Sequence, residues 1–193
     1  GSEAVAAVGL TTQPKYIALS FFFAINVAVS ALVARRKGEE RKDRANQILL
    51  TAFIMSLVLC AIISFVMVTF TPDIIRLAGS GPDTHEMGSA YLRILMLGLI
   101  FNAISMVINA AQRGSGNTRI AFVTNLVSSI VNICLNYLLI EGHFGFPALG
   151  VRGAALATVG GTVVASIMSI RSLFRNSSYR SLPLMVRKKI KIG

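Results

Sequence analysis

Residues 48–70 read ILLTAFIMSLVLCAIISFVMVTF, a stretch without one charged side chain. The hydrocarbon core of a bilayer is about 30 Å thick and takes about 20 residues of helix to cross. No water is at hand there for backbone N–H and C=O groups, so a spanning segment closes its hydrogen bonds within itself as an α-helix. This stretch predicts a transmembrane helix, and four more apolar runs lie outward from it. The expected spans cover 3–34, 47–70, 88–112, 118–141 and 149–172, with a basic tail over 173–193. Pro14 is expected to kink or break the first, because its ring removes a backbone donor and crowds the preceding turn. The fold class is therefore all-α, a membrane bundle of about five transmembrane helices.

Composition agrees with that reading. Hydrophobic residues make up 54% of the chain and charged ones 14%, at a mean hydropathy of +0.68, where a soluble domain carries roughly 25% charged residues. A net charge of +11 would suit nucleic acid if the basic residues formed one face with aromatics interleaved. They fall instead between the apolar runs, so membrane lipid is the expected partner and nucleic acid is not. Cys60 and Cys134 both lie inside apolar runs, where a thiol packs as a small hydrophobe, and no disulfide is expected. No Cys/His cluster has metal-ligand spacing, and neither metal nor cofactor is expected. His85 and His143 fall in connections, with solvated or capping roles. Nothing pairs a nucleophile with a base, so the sequence does not indicate an enzyme.

Lys and Arg near span ends are retained on the cytoplasmic side. Arg35, Arg36, Lys37, Arg41, Lys42 and Arg44 follow the first span, Arg113 and Arg119 follow the third, and Arg171, Arg175, Arg180, Arg187, Lys188, Lys189 and Lys191 follow the fifth. The alternate connections, TPDIIRLAGSGPDTHEM and EGHFGFPALGVR, carry only Arg76 and Arg152 together with several acids. The N-terminus is then expected outside and the C-terminal tail in the cytoplasm. An odd number of spans with an external N-terminus predicts at least one helix upstream of this chain, and the basic tail predicts more downstream.

Three spans carry rows of small or polar residues at helical spacing, which in lipid should face protein or water. The third has Gly98, Asn102, Ser105, Asn109 and Gln112; the fourth has Asn125, Ser128, Ser129, Asn132 and Asn136; the fifth has Gly153, Ala157, Gly161, Ala165 and Ser169. Small residues every fourth position let two helices approach, and the fifth-span row is read as packing. Amides in hydrocarbon are costly without partners, so several on one face point to a wet cavity, with interhelical hydrogen bonding as the alternative. Asn26 and Ser30 extend the pattern to the first span. No Asp or Glu lies well inside any span, leaving no intramembrane proton carrier in the sequence.

The run INAAQRGSGNTR, residues 108–119, resembles the short loop of the multidrug and toxic compound extrusion (MATE) transporters, in which a helix ends on an Arg-Gly-small-Gly-(Asp/Asn)-Thr-Arg pattern. NLVSSIVNICLNYLLIEGHFGFPALGVRGAALATV, residues 125–159, resembles that family's next two helices, and EAVAAVGL, residues 3–10, its entry into the second helix. The resemblance implies helices two to six of a twelve-helix fold of the MOP superfamily, that is, part of its amino-terminal lobe. The first helix and the carboxy-terminal lobe would be the missing partners. It also implies a multi-pass protein of the bacterial cell (inner) membrane that exports drug-like or toxic organic compounds by proton- or sodium-coupled antiport with alternating access. In one branch an Asn and an Asp one turn apart line the lobe cavity; the matching positions are Asn132 and Asn136, with an amide where that branch has an acid. Thr158 matches a polar sixth-helix residue of that cavity. The expected cavity residues are Asn26, Asn102, Asn125, Asn132, Asn136 and Thr158. The loop residues Arg113, Gly114, Gly116, Thr118 and Arg119 are expected to be structural, the glycines serving a tight turn and the arginines meeting lipid phosphates or helix ends. Two rivals remain open: a lipid-linked oligosaccharide flippase of the same superfamily, which should line its cavity with Arg and Lys, and a membrane scaffold whose polar rows only join helices.

Overall fold

The computed structural model of the protein describes residues 2–174. Beyond Phe174 the basic tail lies outside the described residues. The described chain runs α1 (Ser2–Leu10), α2 (Thr12–Gly38), α3 (Lys42–Thr69), α4 (Thr71–Leu77), α5 (Pro82–Leu97), α6 (Leu99–Gly114), α7 (Thr118–Ile140), a single 3-10 turn (His143–Gly145) and α8 (Gly150–Phe174). Among the described residues four helices are long and apolar enough to cross a membrane, with α1 and α2 taken together, and five if α5 and α6 count as one bent span.

Each break has a local cause. Pro14 lacks the N–H that Leu10 would need, and the chain turns at Thr11, whose hydroxyl caps the Val8 carbonyl at 2.7 Å. Pro72 likewise leaves the Val68 carbonyl without its donor, and the Thr71 hydroxyl reaches it at 3.1 Å. The connection 71–87, expected as plain loop, thus contains α4 and the first turn of α5. The stretch expected as one span over 88–112 bends by 46° where α5 meets α6. Gly98 stands at the joint, and a Cβ there would lie 2.4 Å from Val159 Cγ2 of α8. Its place in the expected polar stripe is thereby corrected: it lets α8 close on the bend. The Ser64 hydroxyl of α3 donates to the Met96 carbonyl just before the joint, at 2.8 Å.

Buried apolar residues of α5 and α6 (Leu92, Met96, Leu99, Ala103) pack with Phe22 and Ile75, and a second cluster joins Val29, Val33, Leu49, Val107 and Ala111. Outside these clusters the bundle is as apolar as within: Phe65 is 71% exposed, and Phe21, Val27, Phe122 and Ile133 are also open. A monomer in water does not expose such a belt, whereas acyl chains cover it. Cys60 is buried, but Cys134 is exposed on α7 and faces outward rather than packing inside; both are free.

The two ends of the bundle differ in charge. At one, the Lys37 ammonium donates to the Ser115 carbonyl, joining the last turn of α2 to the turn after α6. Arg35, Arg36 and Lys37 occupy the last turn of α2, where the helix dipole favours cations. Glu39 pairs with Arg36 at 2.7 Å and Arg35 at 3.2 Å, and the Arg36 hydrogen bond holds its carboxyl below the ordinary range. At the other end Arg152 meets Glu86 at 3.4 Å, and His143 stacks on Tyr137 with ring centroids 4.1 Å apart. The first is the basic end of the bundle.

Candidate functional site

A cleft of about 290 Å³ opens between α2, α6, α7 and α8. Asn26 reaches it from α2, Asn102 and Asn109 from α6, Asn125 and Ser128 from α7, and Thr162 from α8, with Leu19, Phe23 and Met106 as apolar wall. Three of the expected cavity residues, Asn26, Asn102 and Asn125, are therefore brought together from three helices. Asn102 and Asn125 make no hydrogen bond among the described residues. Amides left unpaired at membrane depth cost free energy unless water or a ligand meets them.

Arg113 also lines this cleft, and its guanidinium donates to Asn26 Oδ1 at 2.5 Å. The loop motif had drawn it toward lipid phosphates or helix ends. The missed signal was its spacing: Arg113 follows Asn109 by four positions and so continues the same helix face. Gly114 is not the turn glycine either. It is the last residue of α6, and a Cβ on it would lie 2.4 Å from the Ser30 carbonyl oxygen. Close approach of α6 to α2 is what requires it. Gly116 does occupy the left-handed region, with φ +84°, and allows the turn into Thr118, the first residue of α7. Arg119 is exposed on that first turn.

Asn132, Asn136 and Thr158 form a second group, about two turns or 10 Å further along α7. Asn132 Nδ2 donates to Thr158 Oγ1 at 3.4 Å, and Asn136 Nδ2 to Asn132 Oδ1 at 3.1 Å. Thr158 donates to the Ala154 carbonyl at 3.0 Å. Asn136 Oδ1 is buried with no partner. The group offers neutral oxygens only, and among the described residues no set of His, Cys, Asp or Glu could hold a metal.

A third set of polar residues joins helices. Ser105, Asn109 and Ser169 close a triangle with sides of 3.2 Å, and Gln112 donates to Ser172 at 3.3 Å. Ser105, Asn109, Gln112 and Ser169 are all buried, so here the helix-joining alternative holds. On α8 the row Gly153, Ala157, Gly161, Ala165 and Ser169 is buried, and a Cβ on Gly153 would lie 2.4 Å from the Leu139 carbonyl oxygen of α7.

A family model for MatE matches residues 1–138. The chain belongs to the MATE family. It is 29% identical over 192 residues to a probable multidrug resistance protein of Bacillus subtilis (strain 168), YoeA, which covers 100% of this chain and 42% of that protein. Its backbone is similar to a multidrug resistance MATE transporter of the MOP superfamily solved in an inward-facing conformation, with TM-score 0.85, 29% identity, and coverage of 92% of this chain and 40% of the other. An outward-facing conformation of a MATE transporter of the same superfamily gives TM-score 0.82 at 30% identity, over 90% of this chain and 38% of the other. The chain thus spans about two fifths of the length of the MATE proteins it matches. The backbone of this MATE segment is thus similar to proteins solved in both conformations.

Proposed function

We propose that this chain forms one lobe of a secondary active exporter of drug-like or toxic organic compounds, driven by proton or sodium antiport through alternating access in a bacterial cell membrane. The observation that carries the reading is the cleft: amides from three helices meet in it, and two of them make no hydrogen bond among the described residues. Leu19, Phe23 and Met106 supply the apolar wall that most small-molecule sites use, and the amides supply orientation. Transporter sites form between repeats, so the cleft is half of a site completed by the missing first helix and second lobe. Asn132, Asn136 and Thr158 offer neutral oxygens to a coupling ion, and its charge must be balanced by an acid outside this sequence.

A scaffold role explains the Ser105–Asn109–Ser169 triangle but not Asn102 and Asn125, which join nothing. A flippase holding a diphosphate would need several cations, and the cleft has Arg113 alone. The test is Asn102→Leu combined with Asn125→Leu in the full-length protein. Since neither amide bonds another helix among the described residues, folded yield should stay near the parent's while dye efflux from proteoliposomes falls about fivefold, the effect of one lost hydrogen bond of about 1 kcal/mol. Parental efflux would leave the scaffold reading standing.

Orientation follows from the charge asymmetry. With Cys60 and Cys134 replaced by alanine, a cysteine at Gly38, at the basic end, should react with an impermeant maleimide only after cells are opened. One at Asp83, at the opposite end, should react in intact cells. The reverse pattern would invert the topology.

A further inference from the structure

Arg113 carries a full charge into the cleft and is met there by a neutral amide oxygen. None of the cleft-lining residues is acidic, none of the ion pairs among the described residues includes Arg113, and residues 175–193 contain no Asp or Glu. The C-terminus of α6 offsets about half a charge. The guanidinium has five donors in a planar fork that matches a carboxylate or phosphate edge, and Asn26 engages one nitrogen. Beside the cleft at the same end, a wider hollow of about 1220 Å³ is lined by Arg119 and Arg171, so the approach is positive as well, which raises the local concentration of anions.

We infer that Arg113, held on Asn26 at the basic end of the cleft, is a recognition point for an oxyanion, a carboxylate or phosphate carried by a transported organic compound. This rests on the cleft being the transport site. Asn26 fixes the side chain, leaving the other edge of the fork for the ligand.

Rhodamine B and its ethyl ester differ in one carboxylate and report the effect directly. The full-length protein in phosphatidylcholine nanodiscs should bind the acid about tenfold more tightly than the ester at pH 7, the increment of one charge-assisted hydrogen bond. Arg113→Gln should bring the ratio to about one. Asn26→Asp should do the same with the arginine in place, because it gives Arg113 a carboxylate of its own; this second variant covers the case in which Arg113→Gln does not fold. A tenfold ratio that persists in either folded variant, or equal weakening of both dyes, overturns the inference and leaves the cleft as a transport site. If the parent binds neither dye, the transport-site reading falls with it. If phosphatidylglycerol in the nanodisc removes the preference, the oxyanion belongs to a lipid headgroup and the substrate assignment is overturned.

Discussion

Replacing Gly153 with valine is expected to remove most folded protein from the membrane. A Cβ at this position would stand 2.4 Å from the Leu139 carbonyl oxygen and 2.7 Å from its carbon. These are backbone atoms, and that oxygen also accepts the Leu149 N–H at 2.9 Å, so it cannot turn away without breaking the loop that leads into α8. Relief has to come from separating α7 and α8, the helices with the most extensive mutual contact in the bundle. Overpacking a tight site costs about 1–3 kcal/mol, and a branched side chain against immobile backbone should reach the top of that range or exceed it. Two substitutions calibrate the result. Gly160→Ala meets the far end of Leu135, which can swing aside, and Gly9→Ala meets nothing within 4 Å and should gain some of the ~1 kcal/mol that alanine holds over glycine in a helix. Detergent-solubilised yield and melting temperature should therefore rank Gly9→Ala first, Gly160→Ala next and Gly153→Val far below. A Gly153→Val protein that melts with the parent would mean that α7 and α8 are not this close.

Asn136→Asp is expected to give transport a pH profile unlike the parent's. The amide nitrogen of Asn136 donates to Asn132 Oδ1, and its own oxygen is buried without a partner. A protonated aspartic acid can keep that donation through its O–H, while a carboxylate has no donor and would set two acceptors against each other. Desolvation and the lost hydrogen bond both favour the neutral form, so ionising the introduced group as pH rises takes stability from the folded protein. The variant should thus resemble the parent at acid pH, lose melting temperature toward alkaline pH, and change its transport rate about tenfold between the two regimes, the effect of about 1.4 kcal/mol. The pair Asn132→Leu with Asn136→Leu should weaken transport about tenfold while folding nearly as well, because hydrogen bonds between membrane helices are worth only about 0.6 kcal/mol on average. An overlaid Asn136→Asp profile together with an unimpaired double-leucine protein would reduce the group to helix packing.

The helices were legible because apolar runs of bilayer length leave the backbone one solution. The third span was not read fully, since Gly98 has the same small side chain whether it lies in a polar stripe or at a joint, and only the position of Val159 on another helix separates the two. α4 escaped because a seven-residue helix with Pro72 in its first turn and Gly79 just past its end has the composition of a loop. In the cleft, the amides of Asn26, Asn102 and Asn125 signalled themselves by spacing and by their cost in hydrocarbon. Arg113 did not, because its charge and its motif both drew it to the membrane surface, and only the approach of α2 to α6 at Gly114 shows that it turns inward. The partition of polar rows into cleft and ladder depends on which helix faces which, and a single strand of sequence does not contain that.

The way α7 is held has a consequence for how the protein is made. Its polar side chains are answered mainly from α8: Ser128 donates to the Gly161 carbonyl at 2.8 Å, and Asn132 to Thr158, while its contact with α6 is slighter. Without α8, the Ser128 hydroxyl and the Asn132 amide would lose these partners, and only the bond of Asn136 to Asn132 lies within α7 itself. α7 is therefore expected to insert into a membrane less readily alone than as a hairpin with α8, which an insertion assay on the two segments would show. The short connection of 141–149 and the glycines of α8 make that pairing immediate.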